Sequence, residues 1–249
     1  METSDGLPET LAMVRAYLEE LRESGVDGLP ITAEGSAVPT APAVAPGAVP
    51  AASGERESLD DIRADLGECG RCALGKGRTN LVFGVGNPRS PIVFVGEAPG
   101  RDEDLKGEPF VGEAGQLLNR IITRMGLKRE DVYICNVLKC RPPGNRNPEP
   151  EEVEQCGPFM LRQVKAIAPE VVVALGTFAA QTLLASKAPI SKMRGHFHDY
   201  HGIPLMPTFH PSFLLHNKKD TDKFWIVWDD MVQVLQKLKM PVPDVQRKR

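Results

Sequence analysis

Nowhere in the chain do eighteen apolar residues run together, so no membrane-crossing helix is expected. The opening METSDGLPET lacks the basic and then apolar order of a secretory leader, and a cytoplasmic protein is expected. Neither sign of charge is in large excess: 30 Lys and Arg stand against 33 Asp and Glu, for a net −3. Bulk charge therefore gives no pointer to nucleic acid, although a local basic surface on an acidic protein can still steer it. Cysteine is scarce and odd in number, five in 249 residues. In a chain of cytoplasmic character that favours metal or cluster ligation over a disulfide scaffold. No repeat or coiled-coil pattern demands a partner copy, so a monomer is expected.

What the chain does have is 23 Gly and 22 Pro, which signal many turns and a linker. Leu11, Val14, Leu18 and Leu21 recur at helical spacing and predict an amphipathic helix within residues 1–30. Its expected role is a loose appendage or a partner contact. Residues 31–58 are rich in Ala, Pro and Gly and predict a flexible or partly extended linker. The body spans 59–240, and a basic tail of 241–249 ends in QRKR.

Within the body, LVFGVG (81–86) is a short strand candidate. Ile92–Val95, Val132–Val137, Val171–Gly176 and Ile203–Pro211 predict four core strands, with helices expected over 115–125, 151–167, 177–185 and 224–238. Uninterrupted apolar strands alternating with helices predict an α/β domain of three layers, a central four-stranded, mainly parallel sheet covered on both faces. Chemistry in such sheets sits beyond the carboxyl ends of the strands. The loops at that edge are GEAPGRDEDLKGEPFVG, NVLKCRPPGNR, GTFA and HPSFLLH.

Cys69 and Cys72 form a C-x-x-C ahead of the first core strand, and Cys140 and Cys156 bracket a Pro- and Arg-rich loop. Four thiolates in two pairs suit zinc or a [4Fe–4S] cluster. Spacing does not decide between them, nor between a folding staple and a redox centre. Cys135, inside an apolar strand, is a small buried thiol.

Taken together, the cysteine pairs, GEAPG, KCRPP followed by NR, and the late HPS resemble the family 4 uracil-DNA glycosylases, the iron–sulfur branch of that superfamily. The resemblance runs from about Glu68 to Leu238; the helix expected within residues 1–30 lies outside it, as a loose appendage or a contact for a repair or replication partner. It implies a monofunctional glycosylase that hydrolyses the N-glycosidic bond of deoxyuridine in single- or double-stranded DNA, leaving an abasic site for base excision repair. It implies Cys69, Cys72, Cys140 and Cys156 as ligands of one [4Fe–4S] cluster. Uracil would be bound by Gly96, Phe110, Asn136 and His210. Phe110 would be a stacking plate for the flipped base, and the Asn136 amide would match uracil N3–H and O4. His210 would donate to O2 as negative charge grows there. In several branches an Asp of the first loop handles the attacking water. Ala98 stands at that place here, so Glu97 is expected to orient water or to oppose charge on the sugar.

For the grip on DNA, the backbone at Gly100 and the side chains of Lys139, Arg141, Arg146 and Ser212 are expected at phosphates. Leu214, with Leu215 behind it, is expected to wedge into the stack where the base leaves. A related branch traps uracil-DNA covalently through a histidine in an inserted loop. Residues 136–156 hold no histidine, so turnover is expected. The rival readings are a glycosylase for another deaminated base, a non-catalytic DNA-binding protein with a structural cluster, and an iron–sulfur redox protein.

Overall fold

The computed structural model describes residues 56–216 and 221–245. The expected N-terminal helix, most of the linker and the QRKR tail lie outside them. In chain order the elements are helix α1 (Leu59–Leu66), strands β1 (Val85–Gly86) and β2 (Ile92–Gly96), and helices α2 (Arg101–Lys106) and α3 (Glu113–Arg124). Then come β3 (Tyr133–Asn136), α4 (Pro150–Ile167), β4 (Val171–Leu175), α5 (Thr177–Leu183) and α6 (Ile190–Met193). Strands β5 (His198–Tyr200) and β6 (Ile203–Thr208) precede α7 (Pro211–His216) and α8 (Thr221–Lys237).

The sheet order is β1-β3-β2-β4-β6-β5. The four expected strands β3, β2, β4 and β6 are mutually parallel and form its centre. Two short antiparallel strands, β1 and β5, close the edges, so the sheet has two strands beyond the expected four; β1 is the end of the LVFGVG candidate. β5, three residues of which only Tyr200 is buried, is too short and too exposed to leave a hydrophobic signature.

Alternation along β2 explains the three layers, because successive side chains leave a strand on opposite faces. Val93 and Val95 join Val172, Ala174 and Leu205 in one apolar cluster, beneath Met160 and Val164 of α4 and Ala179 and Ala180 of α5. Ile92 and Phe94 join Val171, Val173 and Met206 in the other, beneath Leu118, Ile121 and Ile122 of α3 and Trp228, Met231 and Leu235 of α8. Burial on both faces is what makes these strands continuous apolar runs.

Four helices, α1, α2, α6 and α7, arise where none is expected. α1 is capped by Ser58, whose hydroxyl accepts the Asp61 N–H while the Asp61 carboxylate accepts that of Ser58, a reciprocal capping box. Ile62 and Leu66 of α1 pack on Phe159 of α4. α2 forms inside the long loop after β2, with acids in its first turn where the helix dipole favours them.

Candidate active site

The carboxyl ends of β2, β3, β4 and β6 open into a cavity of about 590 Å³. Glu97, Gly100, Phe110, Asn136, Arg146, His210 and Ser212, seven residues singled out in the sequence, line it. So do Glu103, Asn145, Gly176 and Gln181, which the motifs did not mark.

Gly96 ends β2 and Asn136 ends β3, and the two are register partners. A methyl group at Gly96 would sit 2.3 Å from Asn136 Oδ1 and 2.6 Å from Phe110 Cζ. Gly96 therefore keeps open the space between the amide and the ring. Asn136 is 1% exposed, and its Oδ1 is a buried acceptor with no hydrogen-bond partner. Orphans of this kind are rare and cost about 1–3 kcal/mol each.

Phe110 is buried at φ +52, a left-handed backbone that a bulky residue adopts only under constraint. Glu103 supplies that constraint. Its Oε1 accepts the N–H groups of Val111 and Gly112, both at 2.9 Å, and its Oε2 accepts that of Gly100 at 3.1 Å. One carboxylate thus ties the GEAPG turn to the loop that carries Phe110. It also means that the Gly100 amide, expected at a phosphate, is already bonded within the chain.

His210 follows β6, and its ring centroid lies 5.6 Å from that of Phe110. Ser212 donates its backbone N–H to His210 Nδ1 at 3.2 Å, and its hydroxyl lies 2.7 Å from the same nitrogen. Nδ1 is therefore an acceptor, and in the neutral ring the proton sits on Nε2. Burial lowers the imidazole pKa to about 4, against an opposing pull from the Glu103 carboxylate. Gly176, at φ +91, faces the ring, and a methyl there would come within 2.9 Å of His210 Cβ. The base of the histidine loop is stiffened from behind. Thr208 Oγ1 donates to buried Asp230 at 2.6 Å, and Arg194 grips both oxygens of the same carboxylate. Across the cavity, burial raises the half-buried Glu97 carboxyl above the usual carboxylate range.

The geometry corrects Lys139 and Leu214 as expected DNA contacts, and it gives internal partners to Ser212, Arg141 and Arg146. Lys139 is wholly buried, its ammonium donating to the Asn136 carbonyl at 2.8 Å and to Gln163 Oε1 at 2.6 Å, so it does not reach a phosphate. Leu214 is 7% exposed and packs into the apolar cluster under α3 and α8. The helical turn of α7 rotates it inward and leaves half-buried Leu215 as the nearer candidate for a wedge. The Ser212 hydroxyl is engaged by His210. Arg141 is half-buried, with Nε on Asn145 Oδ1 at 2.8 Å. Arg146 is clamped on both oxygens of Glu152, at 2.9 and 2.6 Å, which pins the Pro-rich loop to the start of α4.

Below that loop, Cys69, Cys72, Cys140 and Cys156 line one cavity, with Cys135 elsewhere in the core. Among the described residues no three His, Cys, Asp or Glu groups are placed to hold a single metal ion. Three sulfurs already have N–H donors: Arg71 at Cys69 (3.4 Å), Arg78 at Cys140 (3.4 Å) and the Lys139 amide at Cys156 (3.2 Å).

No helix among the described residues is long and apolar enough to cross a membrane. A family model described as the Uracil DNA glycosylase superfamily matches residues 83–232. The chain is 49% identical over 176 residues to the type-4 uracil-DNA glycosylase of Archaeoglobus fulgidus, covering 68% of this chain and 88% of that one. It is 49% identical over 168 residues to the type-4 enzyme of Thermotoga maritima, covering 66% and 88%. It is 42% identical over 170 residues to that of Saccharolobus solfataricus, covering 65% and 79%.

Proposed function

Since the chain belongs to the uracil-DNA glycosylase superfamily, and within it to the type-4 branch, we propose that the cavity at the sheet edge receives a uracil flipped out of DNA and releases it by hydrolysis. The observation that carries the assignment of roles is the buried, unpartnered Oδ1 of Asn136. It is an acceptor awaiting a donor, and uracil N3–H is one. With Oδ1 committed, Nδ2 is left to donate to O4. Cytosine presents a bare N3 and an amino group, so both buried polar atoms would face the wrong partner.

In this reading Phe110 covers one face of the base. As the bond between C1′ and N1 breaks, its electron pair passes into the uracil ring and charge accumulates on O2. Nε2–H of the neutral His210 donates to that oxygen. Water then bonds to C1′, and the proton it loses passes to the uracil anion, which departs as neutral uracil. Of the two carboxylates in the cavity, Glu103 is committed to three backbone N–H groups. That leaves Glu97 to orient the water or to oppose positive charge on the sugar. Arg141, Arg146 and Leu215 are the groups we assign to the DNA strand, and the protein acts as a monomer in the cytoplasm.

Cys69, Cys72, Cys140 and Cys156 are the residues that would hold a [4Fe–4S] cluster, consistent with four thiols around one cavity and N–H donors at three of them. When bound, the cluster supplies a cross-link between the segment before β1 and both ends of the Pro-rich loop. Cys140→Ser should remove the visible iron–sulfur absorbance, drop iron from about four atoms per chain and lower the melting temperature. A wild-type protein that carries zinc in place of iron would contradict the assignment.

The deciding assay uses a labelled strand with one deoxyuridine, a thymidine control, limiting enzyme and alkaline cleavage of the abasic product. Multiple turnovers on uracil alone are expected. Failure to cleave by protein with its iron intact would overturn the reading. A band that stays shifted under denaturing conditions would replace turnover by covalent trapping.

A further inference from the structure

Strands β1 and β3 are paired at Val85↔Ile134 and Gly86↔Tyr133. Continuing that register two residues sets Phe83 opposite Asn136, but the strands have separated there and the ladder is not made. Val137 N–H bonds to Gly96 O on the β2 side, so the carbonyl of Asn136, one residue earlier, faces the β1 side, where its strand partner is missing. A buried carbonyl in that position needs a donor.

Two side chains fill the gap. Lys139 Nζ donates to the Asn136 carbonyl at 2.8 Å and to Gln163 Oε1 at 2.6 Å. Gln163 Nε2 donates in turn to the Phe83 carbonyl at 3.0 Å and lies 3.1 Å from Tyr133 Oη. Both inserted residues are 0% exposed. No carboxylate among the described residues pairs with the ammonium, so its directed contacts are these two oxygens.

The bridge also has anchors at its other end. The Lys139 amide donates to Cys156 Sγ at 3.2 Å, and its carbonyl accepts from Val82 at 2.8 Å. Gln163 lies seven residues beyond Cys156 on α4, two turns along the same face. The turn 136–139 is therefore held between the thiol cavity and the end of β3.

Because the Asn136 amide oxygen has no partner of its own, its aim depends on the backbone that carries it. The geometry points to Lys139 as a positioning residue for the uracil-reading amide, with Gln163 as its brace. The pair replaces two missing ladder bonds and fixes the peptide from which Asn136 projects. The assignment rests on the role given to Asn136 above, and it changes the meaning of the basic residue ahead of Cys140 from a DNA contact to an internal strut.

The test is a double-mutant cycle on the full-length, iron-loaded protein. Lys139→Met keeps length and removes the donor. It should slow single-turnover uracil release about 10²-fold, the scale expected when a reading group is displaced by about 1 Å. KM for the DNA should move far less, because no phosphate contact is lost. Gln163→Met, one bond further away and distant from the loop tip, should cost about tenfold, and it serves if Lys139→Met fails to fold. In an Asn136→Ala background either substitution should slow the reaction by less than about twofold, since the amide they aim is gone.

Losses that multiply in that background would overturn the assignment and leave the role of Asn136 intact. So would full activity in both single variants. An Asn136→Ala enzyme as fast as wild type would instead overturn the base-reading role itself, and the assignment of Lys139 with it.

Discussion

His210→Ala is expected to slow uracil release by about 10²- to 10³-fold, the effect of deleting one donor aimed at developing negative charge. The ring is held for that task and for little else. Ser212 fixes Nδ1 as an acceptor, Gly176 leaves room for the ring, and Nε2–H is the free donor. The loss should fall on the chemical step and leave DNA affinity nearly unchanged. His210→Ala within threefold of wild type in single-turnover rate would remove the histidine from the mechanism. The pH profile offers an independent check. Burial holds the folded-state pKa near 4, below the 6.5 of an exposed imidazole. Protonation would add a hydrogen at Nδ1, where the Ser212 N–H already points. The His210 limb of the rate should therefore stay flat through pH 6.5 and fall only as pH approaches about 4. The same shift has a sign for stability. Between about 6.5 and 4 the unfolded chain binds a proton that the native state refuses, so folding weakens as pH falls through that window. A rate that halves near pH 6.5 in wild type, and loses that limb in the histidine variant, would show the ring to be solvated.

The elements of this site that are legible in the sequence share one property: each follows a strand that is buried where it meets the site. β2, β3, β4 and β6 announce themselves because both faces are covered. Once the strands are parallel, Gly96, Asn136 and the loop bearing His210 must share an edge. Phe110 was recoverable only through its motif, since its place depends on a positive φ enforced by Glu103. That glutamate carries no local signal, because an acid in an acidic run looks like solvated surface until its three N–H partners are known. Lys139 departs from its expected place at a phosphate for the opposite reason. A lysine between a cysteine and the end of a strand, followed by Arg141, has the composition of a phosphate-binding loop. Its burial is decided by a strand that separates two residues early and by a glutamine twenty-four positions downstream. Neither feature is a local pattern. Leu214 likewise depends on one turn of helix, which settles which of two adjacent leucines faces the core.

Gly96→Ala isolates the space in the pocket from everything else in it. Gly96 is not among the glycines with positive φ, so alanine meets no backbone penalty there. Its methyl would lie 2.3 Å from Asn136 Oδ1 and 2.6 Å from Phe110 Cζ, distances at which something must shift. Neither neighbour has an easy retreat. Asn136 is buried at a strand end, with its peptide held by Lys139. The Phe110 loop is tied by Glu103. The methyl would therefore stand where the edge of the base has to enter, and kcat/KM on deoxyuridine DNA should drop by at least about 10³-fold, given that strained and displaced contacts both act on the reacting geometry. Iron content should stay at the wild-type level, because the thiol cavity lies elsewhere in the fold. Gly100→Ala is the internal comparison. Its methyl would meet the Glu103 carboxylate at 2.7 Å and disturb the tie to the Phe110 loop without entering the space for the base, so its loss should be at least tenfold smaller. Equal losses in the two variants would mean that the loop as a whole is being disturbed. A Gly96→Ala enzyme within threefold of wild type would mean that the base does not bind between Asn136 and Phe110.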